Sequence, residues 1–84
     1  MSHNLTELSK LEREKLRDCA SYRLQGSIFF MAPATMERLR QKGLVTEGRG
    51  RAGGYDDVPG WVPTEAGYDV LDSLGMSHLR PRED

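Results

Sequence analysis

The sequence predicts an α+β fold in which three helices and a two-stranded β-hairpin share one core. Three observations carry that expectation. Apolar residues recur at helical spacing near both ends of the chain. Gly43 directly follows a helical stretch whose last turn holds Arg40 and Lys42. Two short β-prone runs, Leu44–Glu47 and Gly60–Pro63, bracket a glycine-rich stretch. With 84 residues the chain is too short for two ordinary domains, so one modest core must suffice.

The first helix has two candidate starts. Asn4 is placed to cap it with Glu7 three residues on, and Ser9 with Glu12 offers a second start that would break the helix in two. Leu5, Leu8, Leu11, Leu16 and Cys19 fall on one broad apolar stripe. Glu7, Lys10, Glu12, Arg13, Glu14, Lys15 and Arg17 read as the solvated face. Tyr22 to Met31 is open: Gln25-Gly26-Ser27 signals a turn, and Ile28-Phe29-Phe30-Met31 fits a buried strand or one helical turn equally well.

Pro33 suits the first position of a second helix, Pro33 to Lys42, with Met36 and Leu39 inward. Leu44–Glu47 and Gly60–Pro63 are the hairpin strands. Gly48 to Pro59, with four glycines and a proline, reads as a flexible, mobile tip. Thr64 caps the last helix, in which Gly67, Val70, Leu71 and Leu74 mark one buried face and Gly75 the end. The expected core is Leu8, Leu11, Leu16, Met36, Leu39, Leu44, Trp61, Val70, Leu71 and Leu74. Residues 1–75 form the expected domain and 76–84 a loosely held tail.

Charge is asymmetric although the total is only −1. Residues 36–52 carry five basic and two acidic side chains, and residues 53–84 carry two basic and seven acidic ones. A basic middle points to an anionic partner there. No run approaches the ~18 apolar residues of a membrane span. Met1-Ser2-His3-Asn4 begins no secretory signal, and Cys19 is the single cysteine, which excludes an internal disulfide and a multi-cysteine zinc site. These features lead to the expectation of a cytoplasmic protein. Cys19 reads as a small buried residue. His3 and His78 have no spaced partners, and Asp56-Asp57 has no base or nucleophile beside it. No catalytic residue, metal or cofactor is therefore expected, and the chain reads as a binding protein, not an enzyme.

The segment from Met36 to Val45, ending Leu39-Arg40-Gln41-Lys42-Gly43-Leu44-Val45, and the later Trp61-Val62-Pro63-Thr64-Glu65-Ala66-Gly67-Tyr68-Asp69-Val70-Leu71 carry a family resemblance. Together they resemble the helix–strand and strand–helix phrases of winged-helix regulators of the MarR and PadR type, and of short bacterial and phage winged-helix proteins. The resemblance covers residues 33–74. It implies a winged helix, with Pro33–Lys42 as recognition helix and the hairpin as wing. It further implies double-stranded DNA as partner, transcriptional regulation as role, and a homodimer as one arrangement. The implied DNA-binding residues are Thr35, Arg38, Gln41 and Lys42 on the helix, with Ala34 also outward, and Arg49 and Arg51 on the wing. One departure stands out: only Tyr22 to Met31 is available for the helix that normally precedes the recognition helix. That departure, the acidic end and Tyr55-Asp56-Asp57 beside the wing arginines keep a second reading open. In it the same frame binds and inhibits a host protein, as a phage or prophage accessory protein would.

Overall fold

A computed structural model describes residues 8–81. The elements run α1 (Lys10–Leu24), α2 (Pro33–Gln41), β1 (Val45–Ala52), β2 (Tyr55–Pro63) and α3 (Glu65–Ser73), followed by a 3₁₀ turn at Ser77–Leu79. The α+β class and the single antiparallel hairpin are those the sequence predicts. Asn4, Leu5 and Glu7 lie outside the described residues. Among the described residues no helix is long and apolar enough to cross a membrane.

Helix α1 starts at the second candidate. The Glu12 amide donates to Ser9 Oγ at 3.1 Å, and the Ser9 amide donates to Glu12 Oε1 at 3.0 Å, a complete capping box. From this start the inward positions are Glu12, Leu16, Cys19 and Ala20. Leu11, expected in the core, is 45% exposed. The reason is helical phase: Leu11 lies about 100° from the stripe position, which the Glu12 carboxylate occupies instead. The reading of Glu12 as part of the solvated face is corrected with it.

The open stretch from Tyr22 completes α1, turns at Gly26, and then runs extended. Ile28 N–H donates to the Arg51 carbonyl at 2.8 Å, and Trp61 N–H donates to the Phe29 carbonyl at 2.9 Å. Ser27 and Phe29 thus bridge to β1 and β2. Of the apolar run, Ile28 and Phe29 are buried, Phe29 edge-on to Tyr22 with centroids 5.2 Å apart, whereas Phe30 and Met31 face solvent.

Helix α2 ends as predicted. Gly43 takes φ +78°, and the amides of Gly43 and Leu44 return to the carbonyls of Arg40 and Leu39. That is a Schellman closure, open to glycine at little cost. Thr64 ties this closure to α3: its hydroxyl donates to the Gly43 carbonyl at 2.6 Å and accepts from the Gly67 amide at 3.1 Å.

The hairpin differs most from expectation. Its ladder runs from Val45↔Pro63 to Ala52↔Tyr55, so the segment read as a mobile tip is paired strand. Only Gly53 and Gly54, φ +57° and +85°, form the turn, which matches a two-residue connection with positive φ at both positions. Gly48, Gly50 and Gly60 serve another purpose and make a trough for Ile28. A Cβ on Gly60 would lie 2.6 Å from Ile28 Cγ1, and one on Gly50 3.1 Å from Ile28 Cβ.

Leu16, Cys19, Phe29, Met36, Leu39, Leu44, Val45, Val70 and Leu71 form the centre of the core. Trp61 and Leu74, expected to be largely buried, are only partly so and pack against its margin. The chain after Gly75 does not leave the fold. Leu79 is buried, and Arg80 reaches Glu65, Asp69 and Asp72 at 2.7, 3.0 and 2.9 Å with its guanidinium 5.3 Å from the Tyr68 ring centroid. The packed unit thus extends at least to Arg80, beyond the boundary expected at Gly75.

Candidate nucleic-acid interface

Helix α2 presents two faces. Thr35, Met36 and Leu39 point inward. Thr35, expected outward, is only 5% exposed, because it sits one turn ahead of Leu39 on the core side. It leaves the set of candidate contacts. Ala34, Arg38, Arg40, Gln41 and Lys42 are exposed.

The cations on this face are not free. Glu12, with 6% side-chain exposure, takes Lys42 Nζ on Oε1 at 3.0 Å and Arg38 Nε near Oε2 at 3.4 Å. Arg38 Nη2 also lies 3.5 Å from Thr35 Oγ1. The carboxyl of Glu12 is held below its usual range. The Ser9 amide contributes most, and Lys42 and then Arg38 add to it against the opposing effect of burial. Glu12 therefore joins the N-terminus of α1 to the C-terminal half of α2. Arg40 Nε pairs with Glu37 at 3.0 Å, and the same glutamate accepts from Gln41 at 3.5 Å.

The wing arginines are matched in the same way. Arg49 Nε donates to Asp57 Oδ1 at 2.8 Å, and its Nη2 donates to the Asp57 carbonyl at 2.8 Å. Arg51 Nε lies 3.0 Å from Asp56 Oδ1. The bulge sets this up. Between Gly50↔Val58 and Ala52↔Tyr55 the second strand has one extra residue, and Asp57 there adopts φ +60°. Asp56 and Asp57 are thus the counter-charges of the wing arginines.

Besides Thr35, sequence reasoning misplaced Glu12. The Ser9–Glu12 capping spacing was the available signal, since it fixes the phase of α1. Cys19 is buried as expected, and its thiol, which donates toward the Trp61 carbonyl at 3.4 Å, is pushed up to about 12, by burial first and Asp18 second.

These features define a small α+β domain with a basic helix and hairpin whose cations are matched by carboxylates. Compared with protein-family models, with curated proteins and with solved structures, the chain matches none.

Proposed function

We propose that the chain is a small winged-helix DNA-binding module, a regulator that meets duplex DNA with α2 and the hairpin. The observation that supports this most directly is accessibility. Arg38, Lys42, Arg49 and Arg51 keep 41–73% of their side chains exposed although each has a carboxylate partner. The pairs of Arg49 and Arg51 are made by exposed carboxylates and contribute about 0–1 kcal/mol each, so phosphate oxygens can take over these two cations at small cost. Arg38 and Lys42 neutralise the buried Glu12 and cost more to draw away. The element order supports the same reading: the extended segment before α2 bridges at Phe29 to the second hairpin strand, and α2 leads directly into the wing. The contact set is Ala34, Arg38, Gln41 and Lys42 on the helix and Arg49 and Arg51 on the wing.

Binding to a host protein is the second reading. It is favoured by Phe30 and Met31, 51% and 41% exposed and adjacent, immediately ahead of α2. A salt titration of binding to duplex DNA separates the two. The DNA reading expects affinity that falls with salt, and Arg38→Ala should weaken a preferred site more than random duplex. A parent protein without salt-sensitive binding at low ionic strength removes the DNA reading in favour of the protein partner.

A further inference from the structure

We infer that the outer edge of β1 is the dimerisation edge of this protein, and that its occupant is β1 of a second copy, antiparallel and centred on Gly48. The two edges of the hairpin are unequal. Trp61 N–H turns away from β1 to the Phe29 carbonyl, so Glu47↔Trp61 is a pair whose backbone groups point outward from the hairpin. By alternation Val45↔Pro63 and Arg49↔Pro59 point outward too. On β2, therefore, two of three outward positions are prolines without an N–H, and the third is capped by Phe29. That edge is closed to a further strand.

On β1 the outward amides and carbonyls of Glu47 and Arg49 have no hydrogen-bond partner among the described residues. Pairing can extend only a short way, because the Arg51 carbonyl is already taken by Ile28. A strand laid antiparallel along this edge must match outward residues to outward residues. With the two-fold axis at Gly48, Glu47 falls opposite Arg49 of the partner subunit, and Arg49 opposite Glu47 of the partner subunit. Each such pair exchanges two backbone hydrogen bonds and places opposite charges side by side on one face of the sheet. The edge is thus complementary to itself, as a two-fold interface requires. Arg49 uses Nε and Nη2 on Asp57 and keeps further donors for the incoming carboxylate. Gly48 at the axis adds no side chain between the strands. Glu47 and Arg49 are exposed in the single chain, so nothing within the fold needs to move aside.

The test is sedimentation equilibrium of the full chain without nucleic acid, across micromolar to millimolar concentration. The parent mass should rise from 9.5 kDa toward twice that value. Glu47→Arg alone and Arg49→Glu alone each put like charges opposite one another and should weaken self-association about tenfold or more. Mixed in equal amounts, the two variants should restore dimers at the parent's concentration, because each supplies the charge the other lacks. Recovery in the mixture also shows that both variants are folded. A parent that stays at 9.5 kDa throughout overturns the assignment and leaves the edge to an extended peptide of another protein. Single variants that dimerise like the parent, or a mixture that stays monomeric, overturn it as well.

Discussion

A Cβ placed on Gly60 would stand 2.4 Å from the Phe29 carbonyl oxygen, so the Ile28–Phe29 segment rests directly on the backbone of β2. The bridge from Trp61 N–H to that same oxygen holds the two together. Gly60→Ala should therefore force the two backbones apart and cost about 1–3 kcal/mol, the usual range for overpacking. Chemical denaturation of the variant measures it. A midpoint equal to the parent's would mean that the segment does not lie on the hairpin.

The punctuation of this fold is legible in the sequence because single residues cause it. Gly43 ends α2, Thr64 starts α3, and Pro33 opens α2, each through local backbone chemistry. The hairpin glycines were legible as glycines but not as to purpose. Composition cannot separate a glycine that turns, such as Gly53, from one that accepts a crossing side chain, such as Gly60. That distinction depends on Ile28, which lies 32 positions earlier in the chain than Gly60. The pairing of Lys42 with Glu12, 30 residues apart, was hidden for the same reason. Arg80 stood out in the sequence only as one more charge in a tail. Its value comes from Glu65, Asp69 and Asp72 sharing one face of α3.

Glu12 should make the fold acid-sensitive. Its carboxyl has a lower pKa in the folded chain than its ordinary 4.5, so the folded state favours the ionised form. The resulting stabilisation is fully present above the unfolded value and is lost as pH falls below it through the folded value. Glu12→Ala removes half of the capping box and the partner of Lys42 and Arg38, and should cost about 1–2 kcal/mol at neutral pH. The variant should also show a flatter fall in stability below about pH 4.5 than the parent. Thermal melts of both proteins from pH 7 to pH 3 measure this. Parallel curves would show that Glu12 has the same affinity for protons folded and unfolded.

The chain after Gly75 should be part of the cooperative unit. Leu79 is 6% exposed and belongs to the same core as Leu16 and Leu71. Leu79→Ala should cost about 2–4 kcal/mol, as for other buried leucines. Arg80→Ala should cost less, because its ion pairs with Glu65 and Asp69 are made by well-exposed carboxylates. A denaturation midpoint unchanged in Leu79→Ala would return this segment to the loose tail that the sequence suggested.

The wing carboxylates should act as a brake on DNA binding. Asp56 and Asp57 each hold one arginine, and both side chains are more than 70% exposed. When DNA arrives, its phosphates must displace them and then lie beside two negative charges. Changing both to asparagine removes that repulsion and both ion pairs, and leaves Arg49 its bond to the backbone carbonyl at position 57. Asparagine also suits the left-handed backbone at position 57, since its short polar side chain tolerates that region. The double variant Asp56→Asn, Asp57→Asn should bind duplex DNA more tightly at every sequence tested, since phosphate contacts carry no base information. Its plot of log affinity against log salt should steepen by up to about 2 units, close to one for each phosphate newly neutralised. Replacing Arg49 and Arg51 by alanine in the same background should abolish the tighter binding, which ties it to these two side chains and not to net charge alone. Equal affinity and equal salt slope in the parent and the asparagine variant would place the wing outside the DNA interface and leave α2 to carry it.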